Sequence, residues 1–444
     1  MKMKKILATI LALGLSVQQA TAQTGSHFSN ASATRTLSDS GENNRYASAS
    51  APSAMDMSVL APTAYSTHEP TTTEYFSGGD MSGYSVGSCG SSPSLWISAE
   101  NLFVFAGKRN SPVLVTTAGN NVLPQQGNAG VTDAFGGRID PDLLYGYRMS
   151  AGAYFGCQQK VGIGVRGYGI YDGSEVFSAA SDGTTSIGVP FLNIAPGSGN
   201  QTVPGVVNVA NDAYIVAGSI PAGLISTGSI VARDTIKMIG SDLSGHLLLA
   251  RSGSFRTDLV AGWTYNQLRN RTTVNTTSVN QYTGDLIVNG TVLTTSDSFA
   301  TDNKFNGAHL GVLSSVVRNQ VSFQTLAKIA FGNMRSKVNI AGSSTIGGVP
   351  DTQGLFALPT NIGTTTNDHF AFLPELGMKL GYSIRPNVQV TVGYTLLVWS
   401  DVMLSGEQID PVLNLSGAGP RPMPLNKHTT YWMQSVDAGL NFTF

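Results

Sequence analysis

Charge is what this chain has least of. Asp, Glu, Lys and Arg make up 12% of its 444 residues, about half the roughly 25% of an ordinary soluble domain. The 26 basic and 27 acidic residues nearly cancel, at a net charge of −1. No basic excess therefore points to nucleic acid or to an anionic lipid surface. Long apolar runs are missing as well. Beyond the N-terminal segment no stretch offers 18 consecutive apolar residues, which excludes a bundle of membrane-spanning helices. Catalytic signatures are sparse: there is no HExxH, P-loop or paired CxxC, and the one G-x-S-x-G match, Gly83-Tyr84-Ser85-Val86-Gly87, sits in an aperiodic Ser/Gly-rich segment without the strand–turn–helix context of a nucleophile elbow. Cysteine is nearly absent. Cys89 and Cys157 are the two present, and in an exported chain they are either one disulfide or two unrelated thiols.

Glycine is abundant, at 51 residues. Low charge, high glycine and near-neutral hydropathy suit strands with one face in lipid. They also suit a large secreted β-sandwich. The N-terminus decides for export. Lys2, Lys4 and Lys5 precede an uncharged, mostly apolar run from Ile6 to Val17, and Ala20-Thr21-Ala22 offers a small-x-small cleavage site. Residues 1–22 thus read as a signal peptide. Residues 23–94 are rich in Ser, Thr, Ala, Gly and Pro without apolar periodicity. Such a segment cannot bury enough apolar surface to offset its ordering entropy, and it is expected to be a disordered periplasmic leader.

From residue 95 onward the chain alternates. Val388, Val390, Val392, Tyr394, Leu396 and Val398 share one face of a strand; Gln389, Thr391, Gly393 and Thr395 share the other. Similar patterns recur at Phe370–Tyr382, Val321–Gly332 and Val161–Arg166. Ten strands emerge, near 95–106, 143–155, 161–172, 239–251, 255–268, 304–317, 321–333, 370–384, 388–401 and 431–444, with twelve as the alternative. Short connections (GCQQK, SGS, RNQ, RPN) alternate with long ones starting near 107, 173, 269, 334 and 402. That alternation predicts an all-β, up-and-down antiparallel transmembrane barrel over 95–444. Its short turns face the periplasm and its long loops face outward. Long loops are the default seat of a surface ligand.

The last strand, YWMQSVDAGLNFTF, puts Val436, Ala438, Leu440, Phe442 and Phe444 outward. Phe442 and Phe444 are the expected assembly signal for the machinery that inserts barrels. The same register sends Glu100, Asp242, Asp258, Glu375 and Asp437 inward together with Arg148, Arg166, Arg256, Lys328 and Lys379. Five acids against five bases predict a neutral lumen filled by charge pairs.

Aromatics near strand ends (Trp96, Tyr145, Phe155, Tyr171, Trp263, Tyr265, Phe370, Tyr382, Trp399 and Trp432) read as interfacial girdles. None of the six histidines lies within five residues of another, so spacing suggests no metal site. His309, Asp302 and Asp234 are the residues that a hydrolase at the barrel rim would use.

The stretches LWISAENLFVF, FGGRIDPDLLYGYRMSAGAYFG, TDLVAGWTYNQL, GLFALPTNIG, LPELGMKLGYSI, VGYTLLVWSDVMLSGEQID and YWMQSVDAGLNF occur in order over residues 95–444. In them the chain resembles a family of outer-membrane β-barrel proteins abundant in planctomycete-type bacteria. The resemblance implies a barrel in the outer membrane of a Gram-negative-type cell and assigns no reaction, cofactor or catalytic residue. The expected function is a monomeric structural or surface-interaction barrel in outer-membrane lipid, without enzymatic activity. The alternatives are a narrow passive channel for small solutes and a rim hydrolase.

Overall fold

In the computed structural model, residues 94–156, 158–194, 201–203, 206–220, 223–281, 288–414 and 420–444 are described. The expected signal peptide, nearly all of the leader, Cys89 and Cys157 lie outside them.

Ten strands form the wall: β1 (Ser94–Ala106), β2 (Leu144–Phe155), β3 (Val161–Ser181), β4 (Gly223–Ser252), β5 (Phe255–Asn280), β6 (Val292–Arg318), β7 (Val321–Ile346), β8 (Gly363–Arg385), β9 (Val388–Val402) and β10 (Thr429–Thr443). Each pairs antiparallel with the next. β10 then pairs with β1, from Trp96 opposite Thr443 to Ala106 opposite Met433. The ring closes without an edge, as backbone in hydrocarbon demands, because no water is there to satisfy an unpaired N–H or C=O. The two-residue turns Gly253-Ser254 and Asn319-Gln320 start in the left-handed region, at φ 52° and 57°. Glycine and asparagine tolerate that conformation, so the chain reverses tightly there.

The outer face shows where the membrane ends. On β5 it reads Phe255, Thr257, Leu259, Ala261, Trp263 and Tyr265, and then Gln267, Arg269 and Arg271. On β7 it reads Val321 to Phe331, and then Asn333, Arg335 and Lys337. About eleven residues of tilted strand match an apolar band ~25 Å tall. Above it the strands do not stop. β3 through β8 run well past the band, to residues 181, 223, 280, 292, 346 and 363. Alternation alone places these extensions in the long loops. Once both faces meet water or a polar neighbour, the period-2 hydrophobic signal vanishes. The hydrogen-bond ladder persists all the same.

Described residues of the remaining loops form strands too. Arg109–Ala118 pairs with Val131–Ile139 and with Ser186–Asn193. Ser186–Asn193 pairs in turn with Val206–Ile220, and in parallel with Val412–Leu413. This small sheet packs Leu114, Ile187, Val189, Val216, Ile409 and Leu413 against Val274, Phe299, Val338 and Ile340 of the wall. The outer mouth thus carries a folded cap with its own core.

Removing residues 435–444 deletes the partners of Trp96 through Val104 on β1. The truncated chain is expected to show no heat-modifiable, compact band on gels and no outer-membrane fraction. Normal folded levels would contradict closure by β10.

Candidate functional site

The lumen is filled in layers. The first is charged. Glu100, Arg148, Arg166, Asp242, Arg256, Asp258, Lys328, Glu375, Lys379 and Asp437 all point inward, and each takes part in an ion pair with another of the ten. They form three neutral groups. Arg148 meets Glu100 at 2.5 Å and Asp437 at 2.7 Å, and Lys379 holds the other oxygen of Glu100. Arg166 pairs with Asp242 and meets Glu375 at 2.6 Å. Lys328 meets the same two acids at 3.0 and 2.8 Å. Arg256 meets Asp258 at 2.8 Å, nearer the periplasmic mouth, and stacks over Tyr154.

Strand order gives these contacts their meaning. In a ring of ten, β3 and β8 stand opposite each other. Arg166 of β3 and Glu375 of β8 touch across the lumen. Lys328 of β7 reaches Asp242 of β4 beside them. Glycine makes room for the other group. A Cβ at Gly393 would sit 2.5 Å from the Asp437 carboxylate, and one at Gly439 would sit 2.5 Å from Cγ of Glu100.

Immediately outside this belt the inward face turns apolar. Leu102, Tyr168, Leu373 and Leu397 each lie two residues beyond a charged or polar belt position on their strand. With Leu144, Met238, Leu268, Phe305, Met334, Trp399 and Met433 they form one buried cluster, to which all ten strands contribute. The charge pairs expected in the lumen do not reveal this layer. Its signal is present where both faces are apolar at once, as in LFVF at 102–105 and LLVW at 396–399.

Above it a segment of the last long loop lies inside the mouth. Residues 402–410 are all buried. Asn270 Oδ1 accepts from the Ser405 N–H at 2.8 Å, and Asn303 bonds both Met403 N and Met403 O, at 2.9 and 2.8 Å. Arg109 and Asp234, both buried, pair at 2.6 Å, and Asn270 and Thr272 also donate to Asp234. Asp297 clamps the 352–362 loop by accepting the N–H groups of Leu355, Phe356 and Ala357, at 3.1, 3.0 and 2.8 Å. Burial pushes its carboxyl up to about 6, against the pull of those three amides.

The residues cast for a rim hydrolase do not meet. His309 points into the lumen, bonded to Ser244 at 3.0 Å and Thr264 at 2.9 Å. Asp302 faces outward and accepts from Gln267. Asp234 is held by Arg109. The girdle reading needs two corrections. Tyr145, Phe155, Tyr171, Trp263, Phe370 and Tyr382 are exposed on the outer face. Trp399, however, is inward and fully buried in the apolar layer, and Trp96 lines a cavity of about 220 Å³ at the periplasmic mouth. Both occupy the inward parity of their strands, where position along the strand says nothing about lipid. Phe442 is half-buried and Phe444 exposed at the end of β10, on the lipid side.

Removing one partner strands the other charge in the belt. Glu375→Gln or Arg148→Met is expected to lower stability by about 3–5 kcal/mol, against about 0–1 kcal/mol for the half-exposed Lys108 pair in Lys108→Ala. Urea titration of the folded band in detergent measures both. Equal effects would remove the energetic case for the belt. Asp297 makes the docking of the 352–362 loop depend on pH. Its folded pKa lies above the unfolded one, so protonation favours the docked loop. That stability is full below the ordinary aspartate range and is lost as pH rises through about 6. Hydrogen-exchange protection of the 355–357 amides, corrected for intrinsic rates, should fall from pH 4 to pH 7, and Asp297→Asn should flatten the dependence.

A search of curated proteins finds no match. Among solved structures, the outer membrane protease OmpT of Escherichia coli aligns at 10% identity and TM-score 0.37, covering 79% of this chain and 97% of that one. A Pseudomonas aeruginosa FadL homologue aligns at 7% identity and TM-score 0.22, covering 79% and 90%. The toluene transporter TodX of P. putida aligns at 9% and 0.15, covering 79% and 89%. Residues 96–444 match the family described as putative beta barrel porin-7 (BBP7), and the chain belongs to that family of outer-membrane barrels.

Proposed function

We propose that this outer-membrane barrel is sealed, and that it serves as a structural or surface-interaction protein that presents its folded cap to the exterior. The contact of Arg166 with Glu375 carries the reading. Side chains from opposite walls that touch leave no water-filled bore at that height. The apolar layer beyond supports the same conclusion, because a wet channel would not keep Leu268, Phe305 and Met334 free of solvent exposure. A ten-stranded ring is only slightly wider than the eight-stranded size that side chains fill. The family's porin name favours the other reading, a narrow channel, and the 220 Å³ polar-lined cavity at the periplasmic mouth is the observation on its side. That cavity ends at the charged belt, where Lys328, Asp242 and Arg166 line it.

The lipid-facing band is continuous around the described wall, consistent with a monomer whose partner in the membrane is lipid. Any binding activity then belongs to the cap and the strand extensions. No cofactor or catalytic step is invoked.

The test is reconstitution of the folded chain in planar bilayers. No steady conductance is expected for the intact protein. Steady ohmic current with free passage of small solutes would place the channel reading first.

A further inference from the structure

β9 and β10 reach their outer ends near the membrane boundary, at Val402 and Thr429, whereas β8 extends farther outward, starting at Gly363. The outer rim therefore has a step. Three side chains that sequence spacing kept apart meet on it: His369 of β8, Asp401 at the end of β9, and His428 just before β10. Each offers a ligand atom, and those atoms lie within 4.8 Å of one another. His428 Nδ1 is 2.6 Å from Asp401 Oδ1, and His369 Nε2 is 3.6 Å from Asp401 Oδ2. The imidazoles pack edge to face, with centroids 4.7 Å apart. The ladder between β9 and β10 is irregular between Trp399 and Val402. Bulges of this kind re-aim side chains beside functional sites.

We propose that His369, Asp401 and His428 bind one divalent transition-metal ion of the zinc type. Two nitrogens and one carboxylate oxygen are the donor set that zinc takes in open sites with three protein ligands. Calcium and magnesium prefer oxygen alone. Tetrahedral coordination at bond lengths near 2.0–2.1 Å sets donor atoms about 3.3 Å apart. The separations to Asp401, one to each carboxylate oxygen, lie on either side of that value, and no pair of ligand atoms is more than 4.8 Å apart, so binding asks for shifts of up to about 1.5 Å.

The side chains are 17% exposed at His369, 36% at Asp401 and 24% at His428. The site is thus open to water, which would fill the fourth position, yet held by packing below. An outer partner is in place. The Asn367 amide lies 3.1 Å from His428 Nε2. A metal on Nδ1 leaves a proton on Nε2; the Asn367 amide, which presents its Nδ2 there, accepts that proton through Oδ1 after rotating by half a turn. Such partners fix the tautomer and orientation of a ligating imidazole. His369 Nδ1 is buried without a hydrogen-bond partner among the described residues. Its Nε2, facing Asp401, is the ring atom with a role.

The experiment uses the full chain without an affinity tag, folded in detergent micelles and titrated with Zn²⁺ by calorimetry and with Co²⁺ by visible absorption. One equivalent is expected to bind, and Co²⁺ should give the intense d–d bands of a low-coordinate site. His369→Ala and His428→Ala should each abolish the bands and weaken Zn²⁺ binding by more than the roughly 10–100-fold that loss of an outer partner costs. Asn367→Ala should fall within that smaller range. His246→Ala, inside the barrel, should bind as the parent does. Heat-modifiable migration checks that each variant is folded. Absence of stoichiometric binding by the parent, or parent-like binding by a folded His369→Ala/His428→Ala double variant, would overturn the assignment.

Discussion

An ion pair across the lumen, Arg166 to Glu375, is the contact on which the rest of the interior depends. Ionised groups surrounded by wall and lipid are tolerable only when paired and hydrogen-bonded. Here each acid of the central group serves two cations, and each cation serves two acids. The pairing ties β3 and β4 to β7 and β8. It fixes the distance between opposite walls, so the ring has a rigid diameter at that level. The second group, around Arg148, brings β8 against β1, β2 and β10, which includes the seam where the barrel closes.

Once the belt is set, the layers above it follow. Charges paired with one another need no water of their own, so the next level can be largely apolar. Leu102, Tyr168, Leu373 and Leu397 occupy it. A dry layer in turn needs a lid, because its outer surface would otherwise meet water. The buried segment 402–410, pinned by Asn270 and Asn303, and the small sheet with its own apolar core supply that lid. Long extensions of β3 to β8 make this possible by carrying the wall well beyond the lipid.

Much of this was legible in the chain itself. Ten strands, their order of short and long connections, the closing strand, and the inward direction of all ten charged residues follow from period-2 alternation. Alternation is a direct image of a wall with lipid on one side. The signal is strong where the outer face is apolar, at Val388–Val398 or Val321–Phe331. It fades where the outer face turns polar, so the strands at 173–181, 269–280 and 334–346 are not legible in it.

Sequence by itself thus determined the architecture and the topology, because both depend on the side of the wall a residue faces. Which charges meet was decided only by tertiary structure. Arg166 and Glu375 are far apart in the chain and become partners because ring closure sets β3 opposite β8. The same holds for the apolar layer, where Trp399 and Tyr431 sit on the parity expected to be polar. It holds also for His369, Asp401 and His428, which no spacing rule connects. Proximity across a barrel depends on strand register and on the circumference at which the sheet closes. Neither quantity is written in any local stretch of the chain.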